Sequence, residues 1–65
     1  MTTKYGDEVK LGDWITKDGE IYIITDIMDN HVEIAKIDET GEIISGPIIL
    51  LDTELGNYDY HIANC

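Results

Sequence analysis

The fold is decided by one stretch of the sequence, KDGEIYIITDIMDNH at residues 17–31. A turn signal stands near each end of it, and the run between them is dominated by isoleucine. Three such signals follow one another at intervals of eleven residues: Asp18-Gly19, Asp29-Asn30 and Thr40-Gly41. Short runs rich in Ile, Val and Tyr between tight turns are typical of an antiparallel β-meander. The sequence therefore predicts an all-β fold built from consecutive hairpins.

Five strands are predicted when the same pattern is followed along the chain. They cover Val9–Lys17, Glu20–Met28, Val32–Ile37, Glu42–Leu51 and Tyr58–Ala63. A capped turn or single 3₁₀ turn is predicted over Asp52–Asn57, between the fourth strand and the fifth. All 65 residues form one domain, in which residues 1–6 are expected to be loose.

The turns also predict how the strands pair. Three registers follow: Lys17 opposite Glu20, Ile27 opposite Val32, and Ile37 opposite Ile43. Left-handed backbone is expected at the second and third turns, because Asp, Asn and Gly tolerate it. Bulges or breaks are predicted at Gly12-Asp13, Ala35-Lys36 and Gly46-Pro47.

The second predicted strand is largely apolar on both of its faces. Strict alternation places Ile21, Ile23 and Ile27 on one face and Tyr22, Ile24 and Met28 on the other. A sheet with one wet face does not require this pattern, whereas a strand that curls around a shared interior does. We therefore expect a small five-stranded antiparallel barrel, with Trp14 in its core.

The first strand supports this expectation through a resemblance. The segment Val9-Lys10-Leu11-Gly12-Asp13-Trp14-Ile15 resembles the glycine, aspartate and apolar opening strand of SH3-like small barrels, including KOW and Tudor-like modules. Members of those families often bind nucleic acid or short peptides through aromatic residues. This chain lacks the basic residues of the nucleic-acid binders and an obvious aromatic cluster, so the resemblance implies a fold and no function.

Charge narrows the class of partner. Fourteen Asp and Glu residues face four lysines and no arginine, which gives a formal net charge of −10. Neither direct nucleic-acid binding nor attraction to anionic membranes is predicted, because both rely on Lys and Arg. A basic protein is the expected partner. The alternative is that the acidity serves solubility alone.

No catalytic residue, metal site or cofactor is predicted. Two Asp-x-His triplets, Asp29-Asn30-His31 and Asp59-Tyr60-His61, each offer one carboxylate and one imidazole, which is short of the usual metal ligand count. The chain has no phosphate loop, nucleophile elbow or Cys-His pairing. A single cysteine, Cys65, excludes a disulfide within the chain and suits a cytoplasmic location. No signal peptide is expected, because Met1–Lys10 contains no apolar h-region. No membrane span is expected, because the longest apolar run is Pro47–Leu51.

The sequence thus predicts a small non-enzymatic protein that binds a basic, nucleic-acid-binding protein by mimicking phosphates. The carboxylates assigned to this role are Asp26, Asp29, Glu33, Asp38, Glu39 and Glu42. In charge and size the chain resembles the anti-restriction and anti-CRISPR inhibitors carried by phages and mobile elements. Tyr58 and Tyr60, with Asp59 between them, would add an aromatic and acidic strip, although a packing role suits them equally.

A structural or assembly module is the alternative function. In that case the edge strand at Ile48–Leu51 would pair with a second copy of the chain to form a homodimer, and the acidity would serve only solubility.

Overall fold

The computed structural model of the chain describes residue 6 and residues 8–60. The predicted loose segment at residues 1–6 therefore lies almost wholly outside the described residues. Six elements follow in order: β1 Trp14–Lys17, β2 Glu20–Ile27, β3 His31–Ile37, β4 Ile43–Leu51, helix α1 Asp52–Leu55, and β5 Asp59–Tyr60.

The strands form one antiparallel sheet in the order β4-β3-β2-β1-β5. The predicted all-β class and the succession of hairpins are confirmed. Four strands of four to nine residues make up the sheet, and the two described residues of β5 pair with β1.

The predicted five-stranded barrel is wrong, because the sheet is open. Closure requires hydrogen-bonded pairing between the outermost strands. Within the described residues β4 and β5 lie at opposite edges of the sheet. The remainder of the predicted fifth strand, residues 61–63, lies outside the described residues, and the SH3-like resemblance stays a prediction.

All three predicted hairpin registers are confirmed. Lys17 pairs with Glu20, Ile27 with Val32, and Ile37 with Ile43. The first turn has positive φ at both central residues, 55° at Asp18 and 83° at Gly19, as a type I′ turn requires. The second turn differs from expectation: the Met28 amide donates to the His31 carbonyl (2.8 Å), but neither central residue has positive φ.

The main core lies on one face of the sheet, here called the core face, which carries Ile15, Ile24, Ile34 and Leu50. Residues from outside the sheet cover it, because Val9, Leu55 and Tyr58 belong to the same buried cluster. The single-turn helix α1 supplies Leu55; of the two predicted alternatives, the turn is a capped helical one and not a 3₁₀ turn. No helix in the described part of the chain is long and apolar enough to cross a membrane.

The opposite side of the sheet, here called the second face, holds a smaller apolar group. Ala35 and Ile37 are buried there, and Trp14 shares this face through its pairing with Ile23. A Cβ placed on Gly41 would lie 3.1 Å from Cζ2 of Trp14, so the indole extends close to the β3–β4 turn. Trp14 is therefore half-buried on the second face, and its predicted place in the main core is wrong.

Bulges explain where strict alternation fails. Ile24 pairs with Ile34 and Asp26 with Glu33, which leaves Thr25 as an extra residue in β2. This bulge turns Ile27 to the core face, contrary to the prediction. The shift predicted at Ala35-Lys36 exists in the β3–β4 pairing, but the extra residues belong to β4, so β3 itself alternates regularly and Ile37 faces the second face.

The first strand is shorter than predicted. The segment before β1 does reach β2, because the Gly12 amide donates to the Ile24 carbonyl and the Ile24 amide donates to the Asp13 carbonyl (both 2.9 Å). Two consecutive residues thus oppose one, as in the predicted bulge. Regular pairing begins only at Trp14.

Candidate protein-binding edge

Strand β4 is apolar, uncharged and exposed. Its sequence IISGPIILL contains no ionisable residue, and Leu50 is its only buried side chain. Five large apolar side chains of β4 are exposed: Ile43 60%, Ile44 58%, Ile48 49%, Ile49 64% and Leu51 48%. A folded chain of this size rarely concentrates so much accessible apolar surface on one strand without using it for contact.

The backbone of β4 is also available along part of its length. The Asp52 amide donates to the Asn30 carbonyl of the β3 side (3.2 Å), and Val32 pairs directly with Leu50. Because hydrogen bonding alternates along an antiparallel pair, Leu50 and Asp52 face β3, whereas Ile49 and Leu51 direct their backbone groups away from the sheet. The edge therefore presents the N–H and C=O of Ile49.

The adjacent outward amide is already occupied. Glu54, in α1, accepts a hydrogen bond from the Leu51 N–H through Oε1 (3.2 Å). This is the reach-back half of a capping box, and it also protects the edge, because a carboxylate on the outer N–H of an edge strand blocks pairing at that point. Strand addition is thus left open at Ile49 and limited at Leu51.

Acidic residues surround this apolar edge. Glu42 precedes β4 directly, and Asp52 follows it directly. Beside Ile49 on the second face lies Glu33 of β3, and beside Glu33 lies Asp26 of β2. Two carboxylates directly opposite each other repel, so this pair favours the approach of an external cation.

A shallow pocket of about 170 Å³ opens on the core face beside β4. Its lining residues are Tyr22, Lys36, Ser45, Gly46 and Ile48. Glu20 organises its polar side, because its Oε1 lies 3.2 Å from Lys36 Nζ and accepts a 3.0 Å hydrogen bond from the Tyr22 hydroxyl. These two partners, Lys36 first, hold the pKa of Glu20 below its ordinary value. Burial raises the pKa of Tyr22, and the hydrogen bond to Glu20 raises it further.

The six predicted carboxylates fall into three groups along β3. Asp26 and Glu33 are paired near its middle, and both are half-buried. Asp29 is exposed at the β2–β3 turn, at one end of the strand. The remaining three, Asp38, Glu39 and Glu42, lie at the β3–β4 turn, at the other end.

One carboxylate of the last group has a structural role. Asp38 Oδ1 accepts hydrogen bonds from the Thr40 hydroxyl (2.6 Å), the Thr40 amide (2.9 Å) and the Glu42 amide (3.0 Å). These bonds, the Thr40 hydroxyl first, lower the pKa of Asp38. The carboxylate is therefore engaged by its own turn, while Glu39 and Glu42 are exposed.

The predicted tyrosine strip does not form as a surface. Tyr58 is only 7% exposed and belongs to the core cluster, where its ring meets that of Tyr22 edge-on at 5.6 Å. Burial raises the pKa of Tyr58. Lys17 Nζ lies 5.5 Å from the centre of the same ring. The packing role applies to Tyr58, and the side chain of Tyr60 lies outside the described residues.

In the described part of the chain, the first Asp-x-His triplet, Asp29-Asn30-His31, does not belong to any group of metal-ligating side chains. His31 Nδ1 lies 2.9 Å from Oδ1 of the neighbouring Asn30. In the part of the chain that the structure describes, no three His, Cys, Asp or Glu residues are grouped so that they could hold a metal ion. His61, of the second triplet, lies outside that part.

The exposure of the N-terminal half of β4 was not predictable from hydrophobicity. Ile43 and Ile44 resemble core residues in sequence. The available signal was Pro47, which favours an edge position. The chain matches no protein-family model, no curated protein and no solved structure.

Proposed function

We propose that this chain is a small acidic, non-enzymatic binding protein that engages a basic protein through the β4 edge. The observation that carries the proposal is the exposure of five large apolar side chains on one uncharged edge strand. Apolar contact supplies affinity there, and the surrounding carboxylates supply attraction and selectivity for a basic partner. A cytoplasmic location remains part of this proposal.

Phosphate mimicry is a narrower version of the same function, and the geometry supports it less well. The six carboxylates do not form one continuous row: they lie at the two ends of β3 and near its middle, and Asp38 is engaged by its own turn. Phosphates of one DNA strand recur about every 3.4 Å along the helix axis. An inhibitor of the phage type would therefore have to rely on the apolar edge as well as on its carboxylates.

A homodimer formed through β4 is the second candidate, because an exposed strand edge also fits a second copy. Pairing of two β4 strands along their open edges would bring the acidic flanks Glu42 and Asp52 of both copies together, and both copies carry a net charge of −10. Like charges directly opposite each other are destabilising, so a basic partner fits the edge better than a second copy does.

Affinity capture with matched baits tests the proposed function. The wild-type protein, Ile49→Lys and Leu11→Lys would each be immobilised and exposed to the same cell extract at rising salt. We expect the wild type and Leu11→Lys to retain basic proteins that salt releases, and Ile49→Lys to lose them. Equal capture by all three baits, or retention that is indifferent to salt, would argue against the proposal.

Sedimentation separates the homodimer from this function. A monomer at all concentrations favours the basic partner. A stable dimer that dissociates on Ile49→Lys but not on Leu11→Lys would favour assembly instead.

A further inference from the structure

The free backbone at Ile49 indicates how the partner is held. The N–H and C=O of Ile49 point away from β3, and the next residue in each direction, Ile48 or Leu50, faces inward. An extended segment laid along this edge would form two hydrogen bonds with Ile49 and continue the sheet beyond β4. This is recognition by strand addition, in which main-chain bonds give affinity and side-chain pockets give specificity.

The side chains on either side of Ile49 define the segment that fits. On the core face, the added strand would lie beside Ile48, whose side chain is 49% exposed. On the second face it would lie beside Ile49, whose side chain is 64% exposed. The centre of the segment must therefore be apolar and extended.

The ends of the segment are defined by charge. Glu42 stands before β4, and Asp52 and Glu54 stand after it, so both ends of an added strand meet carboxylates. Lysine or arginine at those positions is attracted, whereas aspartate or glutamate is repelled. A second copy of β4 brings acidic flanks of its own and does not satisfy this requirement.

We infer that β4 binds, by strand addition centred on Ile49, an extended apolar segment of another protein that has lysine or arginine at both ends. This inference rests on the proposed function and specifies its binding mode. Glu54 limits the pairing on one side, because its carboxylate occupies the Leu51 N–H.

Three synthetic peptides test the inference on the 65-residue protein. The first is KKTVIVTKK with blocked ends. The second has the same sequence but carries methyl groups on its three central backbone amides, and the third is EETVIVTEE. We expect the first to bind, and methylation to weaken binding roughly tenfold or more, since two main-chain hydrogen bonds depend on an unhindered backbone. The acidic peptide should bind more weakly than the first at low salt.

The outcomes separate the binding mode from the proposed function. If the methylated peptide binds as well as the first while the acidic one does not, strand addition is overturned and the basic partner stands. If the acidic peptide binds as well as the basic one, selectivity for a basic partner is overturned, and with it the charged ends of the inferred segment. If none of them binds, the inference is overturned.

A pair of variants tests the edge itself. Glu54→Ala releases the Leu51 N–H, whereas Asp52→Ala removes the same charge and leaves that cap in place. We expect Glu54→Ala to bind KKTVIVTKK about fivefold more tightly than Asp52→Ala, because one more outward N–H becomes available. Equal affinity of the two variants would contradict pairing along this edge.

Discussion

Replacing one exposed isoleucine should separate binding from folding. Ile49 and Leu11 are both 64% exposed, but only Ile49 lies on the β4 edge. Lysine at either position adds the same charge and removes a comparable apolar side chain. Any difference between Ile49→Lys and Leu11→Lys therefore reports on the edge and not on overall charge.

The magnitude follows from the exposed fraction. Full burial of an isoleucine or leucine side chain is worth about 1.5–3 kcal/mol. The 64% of Ile49 that remains accessible after folding leaves roughly 1–2 kcal/mol for a partner to gain. Ile49→Lys should thus weaken binding of KKTVIVTKK about 5- to 30-fold. Folding already covers about a third of either side chain, so each substitution should lower the free energy of unfolding by roughly 0.5–1 kcal/mol.

Two measurements on each variant check this reasoning. Calorimetric titration gives the affinity for the peptide, and urea denaturation followed by circular dichroism gives the free energy of unfolding. We expect similar unfolding free energies and a clear affinity loss in Ile49→Lys alone. Equal affinity losses in both variants would refute the role of the edge, and a large stability loss confined to Ile49→Lys would show that the side chain supports the fold.

Further predictions concern stability. Gly46→Ala should lower the free energy of unfolding by roughly 1–3 kcal/mol more than Gly19→Ala does. Both glycines have positive φ, but only at Gly46 would the new Cβ lie 3.0 Å from the β3 backbone. Equal urea midpoints for the two variants would contradict this prediction. Because the Thr40 hydroxyl and backbone amides lower the pKa of Asp38, its contribution to stability is present at neutral pH and is lost as the pH falls below the ordinary value of 3.8. Melting temperatures of the wild type and Asp38→Ala should therefore converge in acid, and a constant difference would count against the assignment. Burial raises the pKa of Tyr58, so its contribution to folding stability is present below the ordinary value of 10.0 and is lost as the pH rises above it. Tyrosinate absorbance should therefore rise together with alkaline unfolding. Ionisation of every tyrosine before unfolding begins would contradict this prediction.

The hairpins were predictable because their determinants are local. The Asp18-Gly19 pair selects a type I′ turn by its own backbone preferences, and the register of β1 on β2 follows from it. The pairing of Ile37 with Ile43 likewise depends on the residues of one turn. Local chemistry of this kind needs no knowledge of the rest of the fold.

Closure of the sheet was not predictable in the same way. Closure depends on whether the last strand pairs with β4 or only with β1, and β1 is distant from the last strand in sequence. In the structure the two described residues of β5 pair with β1. Apolar residues on both faces of β2 predict a closed interior. In the structure those on the second face are explained by a small second cluster that contains Ala35, Ile37 and the half-buried Trp14.

The candidate site was predicted only in part. The sequence indicated an edge at Ile48–Leu51 and an acidic surface, but hydrophobicity alone does not distinguish a core strand from a contact strand. Two predicted contact residues have structural roles instead, since Tyr58 packs in the core and Asp38 closes its own turn. The Glu54 cap on the Leu51 amide required the geometry of α1 against β4.

Amide hydrogen exchange at two adjacent residues tests the central claim most directly. In the free protein the Ile49 N–H points outward and should exchange rapidly, whereas the Leu50 N–H is paired with β3 and should be protected. Saturation with KKTVIVTKK should slow exchange at Ile49 at least about tenfold and leave Leu50 nearly unchanged. Binding at saturation with no new protection at Ile49 would show that the partner is held somewhere other than the β4 edge.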